Sequence, residues 1–166
     1  MSVIKKSHND YWAEPQILRA IAHDCRIMEI DVIYLRGWAM LSHSWRPFFF
    51  LTYGMVKKYF SFFDKYSGPD KLYLLVDIKT SNRDIVPVLE RFIMSCENKY
   101  VDFLIRFDEN NDRRREVATE LFQRVEQSGK VFIYHRWVHF MKQDGYIIET
   151  INLYKGLPLW KRLNHF

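Results

Sequence analysis

Two runs constrain this chain more than any other feature. Residues 27–35 are an apolar, β-branched run and 72–78 are almost continuously apolar, yet each carries charged groups in or beside it. Near-continuous apolar strands suit a parallel sheet covered on both faces. Alternate residues of a strand share a face, so Glu29 points with Asp31, and Asp77 with Lys79. Charges on the buried face of a strand are costly unless they bind something. The segments that must build the core therefore also carry the chemistry.

The rest of the chain alternates strand and helix signals. A strand is predicted over 2–7, and Pro15 opens a helix over 16–23 with Ile17, Leu18, Ile21 and Ala22 on one stripe. After the strand at 27–35, Gly37 marks a turn, and 39–42 extends that strand or pairs with it. Residues 48–66 read as an aromatic, basic helix, ended by Ser67-Gly68-Pro69-Asp70. Beyond the strand at 72–78, Ser81 or Asn82 caps a helix reaching about residue 98, with Pro87 as an interior blemish. A strand over 101–107, a helix over 112–127 and a strand over 130–137 follow. The helix carries Val117, Leu121, Phe122 and Val125 on its apolar stripe. Gln143-Asp144-Gly145-Tyr146 then reads as a hairpin turn joining 137–141 to a strand over 146–154.

Repeated strand–helix units predict an α/β fold with a mainly parallel sheet, organised as one domain over 1–166. A (β/α) barrel and an open doubly wound sheet compete. Candidate polar residues gather at the carboxyl ends of successive strands, where barrels keep their sites. No glycine-rich phosphate loop follows the first strand, which weakens the nucleotide-binding alternative. A full barrel needs roughly 250 residues, and the chain has 166. The expected architecture is an incomplete or reduced TIM-type barrel, closed by a C-terminal hairpin or completed by a second copy in a homodimer.

The net charge of +5 suits an anionic partner, although the basic residues are scattered among 20 acidic ones. Arg113-Arg114-Arg115 reads as a solvated helix face, and no recognition motif supports nucleic acid. Cys25 and Cys96 are isolated, as in reduced thiols. The first residues have no apolar leader-like core, and no run is long enough to span a bilayer, so a soluble intracellular protein is expected. The segment from Phe48-Phe49-Phe50 to Phe62-Phe63, with Lys57 and Lys58, is read as a core helix, with peripheral docking on a lipid surface as the alternative. His135 and His139 share a face, but no nearby acid or cysteine completes a metal set.

Four pieces remain to be joined: Ser7-His8-Asn9-Asp10-Tyr11, Glu29-Ile30-Asp31, Ser42-His43 and Asp77-Ile78-Lys79. In this order and spacing the first half of the chain resembles the TIM-barrel phosphodiesterases. These include glycerophosphodiester phosphodiesterases, phosphatidylinositol-specific phospholipases C and sphingomyelinase D. The nearest likeness is to a branch that opens on a Ser/Ala-His-Asn-Asp-Tyr motif. Cys25-Arg26 before Ile27-Met28-Glu29-Ile30-Asp31-Val32, then Gly37, His43 and Leu74-Leu75-Val76-Asp77-Ile78-Lys79-Thr80, continue it. Beyond Thr80 only the α/β rhythm matches.

The resemblance implies that Glu29, Asp31 and Asp77 hold one Mg²⁺ or Ca²⁺, that His8 and His43 act as acid and base, and that Lys79 supports the phosphate or the carboxylates. Asn9, Trp45 and Arg46 are candidate substrate contacts. Hard divalent ions favour carboxylate oxygens, and a positioned imidazole pair can move the two protons of a phosphodiester displacement. The expected function is metal-dependent hydrolysis of a glycerophosphodiester or phospholipid head group. The alternative is a catalytically inactive barrel remnant that binds a phospholigand, lipid or protein.

Overall fold

In the computed structural model, residues 2–8, 20–41 and 60–151 are described. Strand β1 is Ser2–Ser7, β2 Cys25–Leu35, β3 Trp38–Leu41, β4 Leu72–Ile78, β5 Val101–Arg106, β6 Val131–Ile133 and β7 Tyr146–Ile151. Helix α1 spans Ile85–Ser95, α2 Asp112–Val125 and α3 Tyr134–Gln143. Residues 20–22 and 60–64 are also helical.

The sheet runs β6-β5-β4-β2-β1-β7, with β3 attached to β2. The six strands of the main path are parallel and curl into a half-barrel. Only β3 runs antiparallel, as the return arm of a hairpin on β2. Its two-residue loop, Arg36-Gly37, has φ of 48° and 92°, as a type I′ turn requires.

One face of the sheet is sealed by α1 and α2. In α1 the residues Ile85, Val86, Leu89 and Ile93 are buried; in α2 they are Val117, Ala118, Leu121 and Val125. They pack with Ile30, Val76, Phe103 and Ile105 from the strands. Phe60 and Phe63 join the same core, so the described end of the aromatic segment is internal. Pro87 is the third residue of α1, where a missing N–H costs no helical hydrogen bond. It lies in the first turn and is no interior blemish. Helix α2 starts where Asn111 accepts a hydrogen bond from the Arg114 amide at 3.1 Å.

The C-terminal hairpin is not formed. Residues 134–143 are helix, and β7 pairs in parallel with β1 at the far edge of the sheet, from Ser2↔Tyr146 to Ser7↔Ile151. Two signals explain the difference. Tyr134, Trp137, Val138 and Met141 recur at helical spacing and all pack into one cluster. Asp144-Gly145 suits a hairpin turn, but Gly145 at φ 85° ends a helix equally well. There the Asp144 amide donates to the Phe140 carbonyl and the Gly145 amide to the Lys142 carbonyl, both at 3.1 Å.

Helix α3 lies on the face opposite α1 and α2. Trp137 packs with Ile27, Leu75 and Leu104, and its ring centroid is 4.8 Å from that of Tyr73. These strand residues alternate in phase with Glu29, Asp77 and Arg106. The face that carries the charged groups is therefore filled at its other end by α3, which leaves them as the layer above an apolar floor.

Candidate functional site

The charged layer is set by register. Asp31, within β2, is level with Asp77, and Asp77 with Arg106, at the carboxyl ends of β4 and β5. Glu29 sits one inward-facing position below Asp31 on β2. Lys6 reaches in from β1, and Lys79 directly follows β4, its amide donating to the Val32 carbonyl at 2.8 Å. The apolar residues between these groups pack the opposite face, so the same alternation that buries Ile30 and Val76 aims the carboxylates inward.

Glu29, Asp31 and Asp77 are at most 2% exposed. Each offers one oxygen within 4.8 Å of those offered by the other two. That span equals two bonds of about 2.4 Å to a single hard cation. The donor set is all carboxylate oxygen, and this buried group could hold a metal ion.

Three cations already meet these carboxylates. Lys6 Nζ donates to Glu29 Oε2 at 2.7 Å. Arg106 Nη1 donates to Glu29 Oε1 at 2.6 Å and to Asp77 Oδ2 at 2.7 Å. Lys79 Nζ donates to Asp77 Oδ2 at 2.8 Å and lies 3.7 Å from Asp31 Oδ1. Burial disfavours the charged Arg106 guanidinium, but Glu29 and Asp77 outweigh it and hold its pKa above the ordinary value. The guanidinium also lies over the Tyr134 ring, 5.1 Å from its centroid, and Lys6 Nζ is 5.8 Å from the same ring.

His8 follows β1, its amide donating to the Ile151 carbonyl at 3.1 Å. Its Nε2 is 3.9 Å from Glu29 Oε1, with the ring partly exposed. The imidazole therefore stands between the buried carboxylates and solvent. The structure thus brings together Glu29, Asp31, Asp77, Lys79 and His8. Asn9, His43, Trp45 and Arg46 lie outside the described residues.

Lys6, Arg106 and Tyr134 also belong to the site, beyond the residues that type and spacing pick out in the sequence. For two of them a signal exists. Lys6 lies near the end of β1, two residues before His8, and Arg106 ends β5 at the level of Asp77. A charge near the carboxyl end of successive strands marks them both. Tyr134 has no comparable signal, because its place depends on α3 occupying the hollow. His135 and His139, on α3, are exposed; His135 Nε2 is 3.7 Å from Glu109 Oε1, and His139 contacts Gln143.

No protein-family model, curated protein or solved structure matches this chain. Among the described residues no helix is long and apolar enough to cross a membrane.

Proposed function

We propose that the chain is a reduced TIM-type barrel that hydrolyses phosphodiesters of the glycerophosphodiester or phospholipid head-group class with one bound Mg²⁺ or Ca²⁺. The observation that carries the reading is the convergence of Glu29, Asp31 and Asp77 on one point at the carboxyl end of the curled sheet, with His8 at its rim. The strand order supports the barrel. Read along the sheet, five parallel strands follow chain order and the last returns beside the first, as in a barrel with units removed between them.

In this reading the three carboxylates hold the ion, which supplies Lewis-acid stabilisation of the phosphoryl oxygens. Lys79 pairs with Asp77 and offers an ammonium to the phosphate. His8 exchanges a proton with the attacking or leaving oxygen, and His43 serves as its counterpart. The apolar floor of Leu75, Leu104 and Trp137 excludes water beneath the reacting group.

The test is ³¹P NMR of glycerophosphodiesters and lysophospholipids incubated with the protein and Mg²⁺ or Ca²⁺. The signal also separates a cyclic phosphate from a monoester. Turnover should vanish with a chelator and fall at least about 100-fold in His8→Ala and Asp77→Asn. Turnover indifferent to the chelator and to both substitutions would refute the proposal.

One observation favours a second reading. Lys6, Lys79 and Arg106 already balance the three carboxylates. A non-catalytic module that binds a phospholigand through these cations needs no metal, and it would bind phosphodiesters equally with and without chelator.

A further inference from the structure

We infer that Arg106 is the internal counter-cation of the carboxylate site, and that a divalent ion enters by displacing its guanidinium. The inference rests on the metal-binding reading above. Arg106 Nη1 touches Glu29 Oε1 and Asp77 Oδ2 at 2.6 and 2.7 Å. One nitrogen thus spans two of the three groups that would hold the metal, and an ion shared by those groups would contend for the same oxygens.

Charge leads to the same conclusion. Three carboxylates face Lys6, Lys79 and Arg106, so the cluster is neutral as it stands. A divalent ion added to it would leave two uncompensated positive charges in a site whose acids are almost wholly buried. Drawing one cation back from the carboxylate oxygens lowers the repulsion with the ion, and an anionic phosphodiester offsets part of the remaining excess. Of the three, Arg106 is the one positioned to leave. Lys6 is enclosed, with a side chain 7% exposed, whereas that of Arg106 is 24% exposed. Lys79 also reaches Asp31 and would remain useful to the phosphate. The guanidinium already lies over Tyr134, so it can withdraw from the oxygens and stay stacked on the ring. Withdrawn in this way, it faces the mouth with its donors free for an anionic oxygen.

Arg106 is therefore a specificity-determining residue. It keeps the site weak for a cation alone and favours joint binding of cation and phosphodiester. The test is calorimetric titration of Ca²⁺ and Mg²⁺ into the full chain, without substrate, for the wild type, Arg106→Lys and Arg106→Met. Alongside it, the Arg106 Nε–Hε resonance of the wild-type protein is followed by ¹⁵N NMR. Arg106→Met should bind either ion at least about tenfold more tightly, the scale of one lost charge-assisted hydrogen bond. Arg106→Lys should fall between, because an ammonium lacks the planar fork. The wild-type Arg106 resonance should shift with the same midpoint as the heat. Equal or weaker affinity in folded Arg106→Met overturns the inference while the metal site stands. An Arg106 resonance unmoved by a bound ion also overturns it, even if the methionine variant does not fold. If no variant and no wild-type protein takes up an ion, both this inference and the metal reading fall.

Discussion

Replacing Trp137 by alanine tests whether α3 fills the hollow of the sheet. Trp137 is 7% exposed and packs against Tyr73, Ile27, Leu75 and Leu104. Truncating a buried tryptophan costs about 3–5 kcal/mol, of which the aromatic pairing supplies roughly 1. The cleft beside it, about 590 Å³ and lined by Phe132, Phe140 and Met141, lets water or neighbouring side chains relax into the space. The expected loss is therefore at the low end, about 3 kcal/mol. For a chain of this size that lowers Tm by about 6–12 °C. Urea unfolding followed by near-ultraviolet circular dichroism reads both the stability and the loss of the tryptophan environment. Phe140→Ala is the control, because that ring is 59% exposed and its removal should stay within about 0.5 kcal/mol. If the two substitutions cost the same, α3 is not anchored as described. In a hairpin over 137–141, Trp137 would share a face with His139 and Met141, and Tyr134 and Val138 would not be its partners.

Other outcomes follow from the same structure. Lys6→Met should destabilise by about 3 kcal/mol in chemical denaturation, because it removes one partner of a buried pair. The double variant Lys6→Met with Glu29→Gln should recover part of that loss, and additive costs would argue against the pairing. Asp102 is buried on β5 beside Lys71, 2.6 Å away. Burial raises its carboxyl above the ordinary value, against the opposing pull of Lys71. The folded form therefore holds this proton more tightly than the unfolded chain. The associated stability is complete below the unfolded pKa of about 3.9 and is lost as pH rises through the folded value. Asp102→Asn should flatten that stretch of the stability–pH curve, and an unchanged slope would count against the burial. Asn111→Ala should cost about 1 kcal/mol by removing the cap of α2, measurable as a shift in the urea midpoint.

Much of the fold is legible because burial writes itself directly into strands. The run at 72–78 coincides with β4, since a strand covered on both faces has to be apolar along its length; 2–7 coincides with β1 although that strand is partly exposed and carries Lys5 and Lys6. The acidic pair in 27–35 is equally plain, because only a site or an ion cluster justifies two carboxylates in phase on a buried strand. The end of the chain reads less clearly. The stretch 134–143 mixes aromatic, basic and β-branched residues, and Asp144-Gly145 serves a hairpin turn and a helix end alike. Which applies is decided by the hollow left by a half-barrel, a tertiary fact that no local pattern carries. The site shows the same division. Glu29, Asp31, Asp77, Lys79 and His8 stand out by type and spacing. Arg106 gains its meaning from the register that sets it level with Asp77, 29 residues away in sequence.

Anomalous diffraction from crystals soaked in Mn²⁺, a substitute for Mg²⁺, addresses the account at its centre. The prediction is one peak about 2.1–2.4 Å from an oxygen of each of Glu29, Asp31 and Asp77, with the Arg106 guanidinium drawn back over Tyr134. A cluster without a peak at saturating Mn²⁺, with Arg106 still joining Glu29 to Asp77, would contradict it.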